Sequence, residues 1–111
     1  MNDPLVHFEV APDAGLSAPN SSIETDFYAT ITKVCAREFG GAPVLPFMST
    51  GATDSAQLRL HSVQAYGLRP FPLSDDDDRR MHGDDERLPL AAFATGVDLL
   101  TRIVAEFCVM K

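Results

Sequence analysis

Histidine and carboxylate residues crowd one short stretch of this chain, Met81-His82-Gly83-Asp84-Asp85-Glu86-Arg87-Leu88-Pro89. At working pH an imidazole is a neutral ligand for zinc, and neighbouring carboxylates can fix its tautomer or share the metal. The same residue types also suit a solvated acidic loop around an ordinary histidine, because local clusters of this kind are common. A second stretch, Gly51-Ala52-Thr53-Asp54-Ser55, is made of small residues directly after an apolar run. A strand, a small-residue turn and a helix start together form an anion site, where unpaired amides meet the positive end of the helix dipole. The alternative is an ordinary turn capped by Thr53 or Asp54.

The elements that would position these residues follow from hydrophobic spacing. Leu5–Val10 alternates as a strand does. Residues 11–20 contain Pro12, Gly15 and Pro19 and read as a connector. Ser21 and Glu24 match a capping box ahead of a helix with Phe27, Ile31, Val34 and Cys35 on its apolar face, and Gly40 and Gly41 end it. Pro43–Met48 lacks polar alternation, which suits a strand buried on both faces. Ala56–Leu60 follows as a short helix, and Val63–Gly67 as a second strand parallel to the first. The long connection from Leu68 to Arg80 holds the run Asp75–Asp78, which reads as solvated charge; it lacks the ligand spacing and the glycine of a calcium loop. Pro89 can open a final helix. On that helix Leu90, Phe93, Ala94, Val97, Leu100, Val104, Phe107 and Cys108 share a face widened by Leu99 and Ile103, so it should be well buried.

These elements predict an α/β fold: a partial three-layer sheet with parallel strands and flanking helices. In open α/β sheets, ligands gather at the carboxyl ends of the strands. The turn at 51–53 and His82 would share that edge. An anion-receiving turn near a metal ligand points to a substrate with a carboxylate and a bond for the metal to polarise. Catalytic zinc needs three protein ligands and an open position. His7 and His61 read as surface residues and both thiols as buried, so the other ligands are expected from elsewhere.

Composition sets the outer limits. The chain has 111 residues, 45% of them hydrophobic, enough for one small packed domain. The net charge of −7 excludes nucleic acid as a partner, since phosphate recognition needs clustered Lys and Arg. No apolar run approaches membrane-spanning length, and the first residues carry no signal-peptide pattern. Cys35 and Cys108 suggest free thiols in a reducing, cytoplasmic compartment rather than a disulfide framework.

The segment Gly51-Ala52-Thr53-Asp54-Ser55, then Tyr66-Gly67 followed by Pro70, then His82-Gly83-Asp84-Asp85-Glu86-Arg87 resembles, in that order, the C-terminal part of the M20 metallopeptidases. These are the relatives of aminoacylase and acetylornithine deacetylase. The resemblance runs from about Thr25 to the end. It implies a co-catalytic amidohydrolase using one or two zinc ions, with a small peptide or N-acyl amino acid as substrate. His82 would be the last metal ligand and Glu86 a carboxylate supporting it in the same loop. Gly51, Ala52 and Thr53 would take the substrate carboxylate, with Asp54 holding that turn. Residues 1–10 would be the last strand of a lid or dimerisation domain, 11–22 the connector, and 23–111 the C-terminal part of the catalytic domain. Many relatives have Arg where Ala56 stands and Gly where Ser62 stands. The family's remaining ligands and its general-base glutamate precede the lid, so no catalytic residue is expected in this chain and it should be inactive alone. The rival expectation is a small non-catalytic α/β module that self-associates as a homo-oligomer through exposed apolar surface.

Overall fold

The computed structural model describes residues 4–7, 9, 17–48, 51 and 53–109. It contains four helices, α1 (Asp26–Glu38), α2 (Ser55–Leu60), α3 (Asp75–Arg79) and α4 (Leu90–Val109), and no strand among the described residues. The α/β expectation is therefore corrected to an all-helical chain. The physical reasons are local. Pro43 and Pro46 remove two backbone donors from the run that was expected to pair as a buried strand. In that run Phe47 and Met48 are 85% and 90% exposed. In the second expected strand, the Ser21 hydroxyl takes both backbone groups of Ala65: it donates to the carbonyl and accepts from the amide, each at 2.9 Å. Of the expected first strand, Leu5 lies in a turn and Val6 and His7 in irregular backbone, while Phe8 and Val10 lie outside the described residues. Most of the expected connector, residues 11–16, lies outside them too.

Helix α1 starts four residues after the expected cap. Thr25 is the N-cap, and its hydroxyl accepts from the Tyr28 amide at 3.1 Å. Ser21 cannot serve because Ala65 occupies it. The Thr25 hydroxyl also lies 2.6 Å from the Tyr66 hydroxyl, which donates to the Ser22 carbonyl at 2.5 Å. One consistent reading gives the Thr25 proton to Tyr66 and the Tyr66 proton to Ser22, so a relay of hydroxyls ties the helix start to residue 66. The C-terminal end follows expectation. Gly40 and Gly41 have φ of +62° and +84°, and the Gly41 amide bonds back to the Ala36 carbonyl at 2.6 Å, which closes the last turn.

Helix α4 begins directly after Pro89, whose carbonyl accepts from the Phe93 amide at 2.9 Å. It packs antiparallel on α1: Phe27 meets Phe107 with ring centroids 4.9 Å apart, and Glu38 meets Arg102 at 3.6 Å. These are the helices that pack on one another among the described residues. Their shared core is Ile31, Val34, Cys35, Leu99 and Ile103, with Phe27, Val44, Tyr66 and Leu68 packed around it. Glu106 is clamped at the rim by Lys33 at 2.7 Å and Arg37 at 2.9 Å, and those two cations hold its carboxyl below the usual carboxylate range.

The expected burial of α4 is wrong in an instructive way. The stripe that docks is Ala92, Gly96, Leu99 and Ile103. The neighbouring stripe, one residue further round, carries Phe93, Val97, Leu100 and Val104, and all four are exposed. Cys108 is exposed as well, whereas Cys35 is buried and burial pushes its thiol pKa up. Small residues explain the choice of face. A Cβ at Gly96 would run into the Phe71 ring, so glycine is what lets that ring lie against the helix. Phe71 in turn stacks on Phe93 at 6.3 Å and 13°.

A double-mutant cycle tests this close approach. Glycine to alanine in a helix normally gains about 1 kcal/mol, whereas forced overpacking costs about 1–3 kcal/mol. Gly96→Ala is expected to lower the urea-unfolding free energy of the native chain. In a Phe71→Ala background, the same change is expected to raise it by about 1 kcal/mol.

Candidate functional site

The residues around His82 form a turn braced by arginines. Helix α3 enters it. Ser74 caps that helix, accepting from the Asp77 amide at 3.2 Å and donating to the Asp77 carboxylate at 2.7 Å. The aspartate run that seemed merely solvated thus occupies a helix first turn, where negative charge is favoured. Its charge is met by arginines on the far side of the turn. Asp76 accepts from Arg80 at 3.2 Å and Arg87 at 3.1 Å, and Asp77 accepts from Arg87 at 2.6 Å. Arg80 also pairs with Asp85, and Arg69 with Asp78.

His82 sits at the apex of this turn. Its backbone φ is +66°, a left-handed conformation that side chains other than glycine rarely adopt. Two contacts hold it there. The His82 amide donates to the Glu86 carboxylate at 3.1 Å, and the Gly83 amide donates to the Arg80 carbonyl at 2.8 Å. Glu86 therefore supports the histidine through the backbone. The ring makes no hydrogen bond or ion pair within the described residues, and His82 is exposed. Left-handed backbone at a non-glycine residue costs on the order of 1–3 kcal/mol, and such strain clusters at functional positions.

No bond of Thr53 or Asp54 ties the second predicted stretch to this turn. Gly51, Thr53 and Asp54 are exposed, and Ala52 lies outside the described residues. Asp54 occupies the N-cap position of α2 without a side-chain cap bond, so its expected holding role is not realised. The amides of Ala56, Gln57 and Leu58 are used within the turn, bonding to the Thr53 and Asp54 carbonyls. Helix α2 packs on no other helix among the described residues, and neither Thr53 nor Asp54 bonds to residues 81–87. Its links run elsewhere, with Arg59 donating to the Pro19 carbonyl at 2.8 Å. Ser62, just past the helix, has φ of +62°.

A zinc centre can be tested against these residues. Among the described residues, no group of three or more His, Cys, Asp or Glu side chains could hold a metal ion. Of the three carboxylates that follow His82, Asp85 is engaged with Arg80 and Glu86 with the His82 amide, which leaves Asp84. Around His82 the described residues thus bring together fewer than the three ligands that a zinc centre needs, and this turn does not by itself fit one. Reading the sequence missed the arginine brace. The signal for it was the Ser74-x-x-Asp77 capping pattern together with Arg80 and Arg87 flanking His82.

No family model, curated protein or solved structure matches the chain. No helix among the described residues is long and apolar enough to cross a membrane.

The brace has a defined pH response. The Ser74 hydroxyl first, then the Arg87 guanidinium, hold the Asp77 carboxyl below its usual range. Its contribution is therefore complete above the ordinary aspartate value of about 3.9 and is lost as pH falls through the lowered folded value. The protection of the His82 amide, relative to its intrinsic exchange rate, should fall over that acid window, and Arg87→Ala should bring about the fall already at neutral pH. Unchanged His82 exchange in Arg87→Ala would show that the arginines do not hold the turn.

Proposed function

We propose that this chain is the C-terminal piece of an M20-type metal-dependent amidohydrolase, to which it contributes one metal ligand, His82, and the turn that presents it. The observation that carries the reading is the His82 backbone itself. The histidine that the resemblance assigns to the metal is the one held in a left-handed conformation, with Glu86 bonded to its amide. A second observation supports it. Ser62 is also left-handed, and many relatives carry at that position the glycine that such a backbone favours.

In this reading, zinc supplies Lewis-acid polarisation of an amide carbonyl in a small peptide or N-acyl amino acid. His82 supplies a neutral nitrogen donor. Glu86 and the arginine brace hold the backbone that carries that donor. The remaining ligands and the proton-transferring glutamate come from other polypeptide, and this chain alone does not turn over substrate. Gly51 and Thr53 belong to the same proposal as residues that meet the substrate carboxylate once the rest of the enzyme has assembled. A cytoplasmic location is also part of it, supported by the two thiols, Cys35 and Cys108, being unpaired.

Isothermal titration with zinc tests the assignment of His82. The native chain should bind weakly, and His82→Gly should abolish the binding while raising folding stability by about 1 kcal/mol through relief of the left-handed strain. That combination separates a ligand role from a structural one. Tight zinc binding that survives His82→Gly would refute the assignment.

A further inference from the structure

Helix α4 carries two apolar stripes side by side, and α1 covers one of them. The other stripe is Phe93, Val97, Leu100, Val104 and Cys108, spaced by four, three, four and four residues; Phe71 lies against Phe93 at one end, and α1 covers none of it. The first four are 47%, 45%, 40% and 56% exposed. An open groove of about 470 Å³ runs along it, bounded by Leu100, Val104 and Cys108 with the smaller Thr101 and Ala105. No charged side chain lies on that stripe. A helix apolar on both sides is normally buried on both sides.

The extent of uncovered surface says how much of a partner is needed. The chain exposes 9189 Å², whereas a folded monomer of 12.1 kDa exposes about 6,000 Å². Its radius of gyration is 17.8 Å, against about 13 Å for a close-packed chain of this length. Each copy of a standard dimer contributes about 800 Å² to the interface. The excess, summed over the whole chain, is several times that, and the α4 face supplies a part of it.

We infer that the uncovered face of α4 is the seat of a second copy of this chain, the two α4 helices packing antiparallel about a two-fold axis beside Leu100 and Thr101. The stripe is self-complementary in that sense. Reversing the helix about this point sets Val97 against Val104, Phe93 against Cys108, and Leu100 against the small Thr101 of the second copy. A large residue meets a smaller one at each end, as interdigitating helix faces require. The inference rests on the α4 face alone and is independent of the hydrolase reading.

Sedimentation of the full chain at micromolar concentration should give a species of about 24 kDa, twice the 12.1 kDa monomer. Val104→Glu should return it to monomer while circular dichroism shows the helices retained, because Val104 makes no core contact. Register is tested by disulfide trapping. Residues 93 and 108 of one helix lie about 22 Å apart, too far to bridge within a chain. Under mild oxidation F93C should therefore form a covalent dimer through Cys108 of the second copy, and the native chain should not. A monomer at all concentrations, a dimer unaffected by Val104→Glu, or a native Cys108–Cys108 cross-link would each overturn the inference.

Discussion

The antiparallel contact between α1 and α4 is what the rest of the described chain hangs on. Ile31, Val34 and Cys35 meet Leu99 and Ile103, and the other apolar side chains join as a second ring around them. The contact is closed at its rim by charge, with Glu106 between Lys33 and Arg37. Two further described segments are attached to this pair by specific contacts. Residues 64–66 are stitched to the approach of α1 through Ser21, Ser22, Thr25 and Tyr66. Residue 71 reaches α4 through the Phe71 ring at Gly96. By contrast, α2 and α3 pack against no helix among the described residues.

This arrangement sets what the His82 turn can do. Its rigidity comes from within: Ser74 caps α3, arginines cross from Asp76 and Asp77, and Glu86 holds the His82 amide. Exposed ion pairs of this kind contribute modestly one by one and are screened by salt, but several acting together can fix one loop geometry. The turn is thus ordered ahead of any ligand, while the surface around it is open.

Helix content was legible in the sequence where periodicity and punctuation agreed. The α1 core face, its Gly40–Gly41 ending and the start of α4 after Pro89 all follow from spacing and turn chemistry. The apolar runs at 43–48 and 63–67 read as strands because a short apolar run cannot declare its partner. Pairing is a non-local property, and here prolines and the Ser21 hydroxyl take away the donors and acceptors a ladder would use. The face of α4 was misread for a related reason. Two adjacent stripes are apolar, and only the fit of Phe71 against Gly96 decides between them. At the candidate site, His82 and Glu86 were found together, whereas the arginine brace depends on contacts across ten or more residues, such as Arg87 with Asp77.

The reading of His82 as the ligand this chain brings to a metal centre is tested most directly by zinc-edge X-ray absorption on the chain loaded with zinc. A single imidazole nitrogen at about 2.0–2.1 Å with otherwise oxygen neighbours is the predicted first shell. Sulfur at about 2.3 Å, which would place the metal on Cys35 or Cys108, or a shell with no imidazole at all, would contradict it.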